Sequence, residues 1–208
     1  HAGRILWLDE EATLIRQHYE GNIVYTELKV ENYEILQRDY VLPNKNVLVR
    51  TFKFNKKLNL FMYSKLNSDV NKKVSSMVVD NTLIQYCQEM YMATFSKNEI
   101  KKYQVNNSKY AMQNGILNPE DYIGMSEDSA ILYSDVNEIT IYIDLENNLK
   151  GVLELVNWCK MQEETLLYNS TKKYWDNYLK SFSNNVLLKS VNKIKEKEII
   201  ERTIYMYA

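Results

Sequence analysis

Residues 72–97 read KKVSSMVVDNTLIQYCQEMYMATFSK, and the reading of this stretch decides the fold. Lys72 to Val79 is a β-rich run, after which Asp80, Asn81 and Thr82 supply side-chain oxygens suited to capping a helix N-terminus. Beyond them Leu83, Ile84, Cys87, Met90, Tyr91 and Thr94 recur at three- and four-residue steps, which predicts a helix over 82–95 with one apolar stripe. Such a helix needs a sheet to lie on. The sequence on both sides of it supplies strands.

Residues 5–20 predict a helix started at Asp9, with Trp7, Leu14 and Ile15 as apolar contacts and Gly21 as its stop. In the next run Val24, Thr26, Leu28 and Val30 alternate with Tyr25, Glu27 and Lys29, the pattern of a half-buried strand. Residues 33–42 suit a strand or a helix, and Pro43-Asn44 suits a turn. The runs NVLVRTFKF and LNLFMYSK predict two strands joined by a hairpin at Asn55-Lys56-Lys57. Residues 131–134 and 138–145 predict a second hairpin around Asp135-Val136-Asn137, in which Ile139, Ile141, Ile143 and Leu145 alternate with Glu138, Thr140, Tyr142 and Asp144. From Leu149 onward the spacing is helical: Val152, Leu153, Val156 and Cys159, then Leu166, Leu167, Tyr174, Trp175 and Tyr178, then an amphipathic stretch from Val186. The expected fold class is therefore α+β, an antiparallel β-sheet packed on one long α-helix with a helical C-terminal region. The expected division is an N-terminal helix or linker over 1–21, an α+β domain over 22–147 and a helical region over 148–208.

The 208 residues are 45% hydrophobic and 25% charged, values of an ordinary globular chain. Five glycines and two prolines favour long regular elements over loops. A net charge of -1 gives no general attraction to nucleic acid, so an RNA contact needs a local patch or pocket. No run approaches the ~20 apolar residues that span a bilayer, so no membrane partner is expected. Cys87 and Cys159 read as reduced thiols in an intracellular, reducing compartment. His1 and His18 assemble no metal set or His-based triad, and no Gly-rich phosphate loop is present, so no cofactor is expected. The opening on His1 reads as an excised piece of a larger protein behind a short vector remnant.

Several short pieces occur in a telling order. Val41-Leu42 and Asn46 lead into one strand, Phe61 lies in the next, and Lys72-Lys73 enters the strand before the expected helix, which closes with Ala93-Thr94-Phe95-Ser96-Lys97-Asn98-Glu99. Gln113-Asn114, Pro119, Asp121, Gly124 and Met125 follow. In that order they resemble the cap-binding domain of the cap-binding subunit of orthomyxovirus (influenza-type) polymerases, as a divergent, thogotovirus-like member. The resemblance implies a fold that holds a cationic methylated guanine between two aromatic faces, with a carboxylate on its base edge. Phe95 stands at one stacking position with Lys97 beside it, and the segment Phe54 to Phe61 matches without a gap. Asn55 then takes the second stacking position, Asn59 the acidic position, and Asp69 falls near a basic one. An amide neither stacks like an aromatic ring nor offers a full negative charge. The implied site, Phe95, Lys97, Asn55, Asn59 and Phe61, is thus a degenerate one with weak or no cap binding. The implied protein is a non-catalytic polymerase domain acting in capped-primer-dependent (cap-snatching) viral transcription in the host nucleus, with other polymerase subunits and, weakly, capped RNA as partners.

Other readings stand beside this one. Phe95 suits a packed core, Asn55 a hairpin and Asn59 a solvent-facing strand position. Glu27 and Lys29 form an acidic-x-Lys on a strand, the pattern of a metal-dependent nuclease, for which Asp9 is the nearest further carboxylate. The Lys-rich run 193–197 suits a solvated helix face or an RNA-backbone contact. A bacterial interaction or immunity module is the remaining alternative.

Overall fold

Residues 75–95 form a three-stranded meander. In the computed structural model, which describes residues 4–66, 74–115, 117, 123–125 and 128–182, the helix expected over 82–95 is two strands. Asp80 and Asn81 both hold positive φ, 45° and 60°, the backbone of a two-residue hairpin turn. The residues read as a helix cap therefore reverse the chain. Leu83 packs with Phe54 and Ile131 in one cluster while its neighbour Ile84 packs with Val49 and Val156 in another. A strand buried on both faces loses its two-residue alternation, which is why the apolar spacing passed for helical.

In chain order the elements are α1 (Leu8–Glu11), β1 (Thr13–Glu20), β2 (Ile23–Val30), β3 (Tyr33–Val41), β4 (Val47–Lys65), β5 (Ser75–Val79), β6 (Thr82–Cys87), β7 (Met90–Phe95), β8 (Lys102–Val105), α2 (Ser108–Gln113), β9 (Ile123–Met125), β10 (Asp128–Glu146), α3 (Leu149–Met161) and α4 (Glu164–Phe182). The ten described strands form one sheet in the order β1-β2-β3-β4-β10-β7-β6-β5-β9, with β8 on β10. Every pairing is antiparallel. The class is α+β, with C-terminal helices packed on a large antiparallel sheet.

Three further expectations change. The N-terminal helix expected over 5–20 is a single turn, α1, followed by the edge strand β1. Neither expected hairpin at 55–57 or 135–137 exists. β4 and β10 run through these points as unbroken 19-residue strands, paired from Val47↔Asp144 to Lys65↔Asp128 with register shifts between Tyr133 and Glu138. The polar interruptions mark a bend that both strands pass together, a bulge and not a turn. Residues 33–42 resolve as strand. Lys72, Lys73, Asp69, Pro119, Asp121 and the stretch from Val186, with the Lys-rich run 193–197, lie outside the described residues.

The bend folds the sheet over a core. One cluster joins Ile35, Phe52, Ile139 and Ile141 to Leu60, Ile131 and Tyr133 from the far halves of the same two strands. Ala130 and Leu132 point the other way, onto Ala111 and Met112 of α2, with Trp7 and Phe61 at the margin. The opposite face of the first layer carries Val47, Val49, Ile84, Phe95 and Tyr142, covered by Val152, Val156 and Cys159 of α3 and Leu167 of α4.

Candidate functional site

α3 is fixed at both ends. Asn148 caps its start by accepting the Gly151 amide at 2.8 Å. At its end Lys160 Nζ donates to the Asp80 carbonyl at 2.6 Å and to Thr82 Oγ1 at 3.0 Å, on the β5–β6 turn. α4 is fixed by charge. Oε1 of Glu164, in its first turn, accepts from Arg38 Nη2 at 2.6 Å and from Tyr40 Oη at 2.8 Å. The Arg38 guanidinium also lies 4.4 Å from the centre of the Tyr168 ring, whose hydroxyl is 2.7 Å from that of Tyr25. Burial, then the Glu164 carboxylate, pushes the Tyr40 phenol well above its ordinary range. Farther along, Lys172 donates to Glu20 at 3.0 Å, and that hydrogen bond holds the Glu20 carboxyl below its usual value.

Where α4 begins, the sheet is left partly uncovered. A cleft of about 220 Å³ opens there, lined by Lys97, Asn98, Glu138, Thr140, Tyr142 and Glu164 among others. Tyr142 lies at its floor beside the buried Ser96 and Ile139: the residue is 1% exposed, its ring stacks on Phe95 at 5.1 Å, and its hydroxyl has no hydrogen-bond partner. Burial, with Glu164 and Cys159 nearby, raises the Tyr142 phenol. Glu138 pairs with Lys53 at 3.1 Å, and Thr140 shares a 3.0 Å hydrogen bond with Thr51. A larger depression of about 290 Å³ lies among turn residues including Asn46, Glu89, Met90 and Asn147. None of its lining residues is buried, so it lacks a fixed floor.

The five residues of the expected cap site are not brought together. Phe95 is fully buried and its face is occupied by Tyr142, so it is a core residue. Lys97 lines the cleft and donates to the Gln162 carbonyl. Asn55 sits at the bend of β4, where its Oδ1 accepts the Glu34 amide at 3.2 Å and its Nδ2 donates to the Asn32 carbonyl at 3.2 Å. Asn59 accepts the Asp135 amide at 3.1 Å across the same bend. Phe61 packs toward α2 on the far layer. The two asparagines pin backbone, and Asn55→Ala should cost about 1 kcal/mol, read as a lower urea midpoint at unchanged m-value. Glu27 lies opposite Arg16 on one side and Leu36 on the other, Lys29 is exposed at the end of β2, and no group of three His, Cys, Asp or Glu residues able to hold a metal occurs among the described residues. The cleft's own residues were not legible as a set, because positions 97, 138, 142 and 164 meet only through the tertiary fold.

No family model matches the sequence, and no curated protein matches it. Solved structures do match by shape. The fold resembles part of a bacterial glucoamylase. That structure, complexed with acarbose, superposes with a TM-score of 0.70 at 14% identity, over 82% of this chain and 29% of that one. A human-microbiome protein described as a kojibiose phosphorylase matches more loosely, with a TM-score of 0.46 at 10% identity over 75% of this chain and 23% of that one. The chain spans less than a third of either. The glucoamylase match overturns the resemblance to a viral cap-binding domain, and with it the polymerase reading: the helix on which that likeness turned is β6 and β7. Among the described residues no helix is long and apolar enough to cross a membrane.

Proposed function

We propose that this chain is a non-catalytic β-domain of a larger carbohydrate-acting protein. The observation that supports this most is the superposition on 29% of a bacterial glucoamylase over 82% of this chain. The remainder of such a protein is then its partner, and the helices α3 and α4, which close the sheet, offer it an apolar surface. Leu153, Met161, Leu166 and Tyr174 are exposed along these two helices. Two buried, unpaired cysteines, Cys87 and Cys159, support an intracellular setting.

A glycan array carrying neutral α-glucans, acidic glycans and amino sugars, probed with the intact chain, tests the reading, with parallel incubation in malto-oligosaccharides to detect released glucose. Retention on neutral glucans without glucose release is the expected result. Failure to retain any glycan overturns the carbohydrate assignment. Glucose release by the purified chain overturns the non-catalytic one.

A further inference from the structure

We infer that the cleft at the start of α4 is a binding subsite for one neutral sugar ring, an inference that rests on the carbohydrate reading above. Its volume of about 220 Å³ is below the ~300–1,000 Å³ of pockets for drug-sized ligands, room for a monosaccharide or the end residue of an oligosaccharide. Its polar groups are set in place before any ligand arrives. Glu164, which lines the cleft, has its Oε1 fixed by Arg38 and Tyr40, which leaves its second oxygen uncommitted to either. Glu138 supplies a further carboxylate, held by Lys53 on the neighbouring strand. Sugar hydroxyls are donors that match such acceptors.

The decisive group is Tyr142. A buried hydroxyl without a partner is costly in a folded protein and points to a function or a missing ligand. Here it belongs to a residue that lines the cleft. Its ring face is taken by Phe95, so it offers a ligand only its hydroxyl. Recognition is then by hydrogen bonds and not by stacking. Both carboxylates are already paired, Glu138 with Lys53 and Glu164 with Arg38, and the Lys97 ammonium donates to the Gln162 carbonyl, so none of these charges is set aside for an ionic ligand. The chemistry thus selects a neutral polyol over an anion.

The test is a titration of the intact chain with maltose, glucosamine and glucuronate, followed by ligand-observed NMR, for the wild type and for Tyr142→Phe, Glu138→Gln and Lys57→Ala. Maltose should bind. Tyr142→Phe and Glu138→Gln should each weaken it about three- to tenfold, the range of one net hydrogen bond, while Lys57→Ala, at the distant bend, leaves it unchanged. Tyr142→Phe removes a hydroxyl that has no partner, so its melting temperature should hold or rise, which separates lost affinity from lost folding. Maltose binding that neither variant weakens overturns the subsite but leaves the carbohydrate reading standing. Binding of glucosamine or glucuronate in place of maltose overturns the choice of a neutral sugar. Binding of no sugar here and no glycan on the array overturns both.

Discussion

Asp144→Asn should stabilise the protein above neutral pH and do progressively less as the pH falls toward 4. Asp144 is fully buried on β10, beneath α3, with neither carboxyl oxygen in a hydrogen bond. The adjacent Leu145 amide is already committed to the Asn46 carbonyl at 3.0 Å. Burial, reinforced by the Glu146 charge and slightly offset by that amide, raises the carboxyl from 3.8 to about 7. Asp144 in turn acts with burial to push the Cys159 thiol up to about 12, against the weaker pull of Lys45 and Lys97. Between pH 4 and 7 the folded chain therefore holds a proton that the unfolded chain releases, so stability falls as pH rises through that window and levels off above it. Raising the carboxyl from 3.8 to about 7 makes the difference between the effects of the substitution at pH 8 and at pH 4 roughly 4 kcal/mol. The buried amide, itself without partners, costs about 1–3 kcal/mol at either pH, which lowers both effects equally and leaves their difference unchanged. Urea titrations of both proteins at the two pH values measure it. Equal effects at pH 4 and 8 would show that Asp144 has found a partner or reaches water.

Phe95→Ala should cost about 3–5 kcal/mol, the range for emptying a buried aromatic site. The ring has no exposed surface and lies against Tyr142 on one side, with Lys160 Nζ 5.8 Å from its centre. A residue that stacked a ligand would lose affinity on truncation and little stability. Phe95 should show the reverse, with a large drop in the urea midpoint and, for the fraction that remains folded, sugar affinity little changed. A small drop in stability with lost affinity would return it to the ligand site.

Local alternation carried what the sequence revealed. β2 was legible because its Thr26 and Val30 face the buried side while Glu27 and Lys29 face away, and Leu149 to Cys159 was legible as α3 because its outer face is wet. Burial on both faces hid the rest. In β10, Glu138, Thr140, Tyr142 and Asp144 read as a solvent face, yet Tyr142 and Asp144 lie under α3. No local pattern announces that a helix from later in the chain will cover a strand. β6 failed for the same reason, although Asp80-Asn81 carried a two-residue hairpin signal that could have been weighed against the helix cap. Asn55-Lys56-Lys57 and Asp135-Val136-Asn137 signalled departures from a straight strand, but a bulge and a turn draw on the same residues. The cleft was the least legible part. Lys97, Glu138, Tyr142 and Glu164 belong to three separate stretches, and only the tertiary fold brings them together.

The unbroken pair β4 and β10 has a consequence for how the chain reaches its fold. Their registers tie Val47 to Asp144 at one end and Lys65 to Asp128 at the other, so the first contact between them closes a long loop whose entropy must be met before the ladder can reward it. Contacts so distant in sequence make for slow folding. Both layers share these two strands, so the long-range pairing that joins the layers comes after the local ladders. The meanders β1–β4 and β5–β7, with short local pairings, are the parts able to assemble early, and they then offer β4 and β7 as edges for β10 to find.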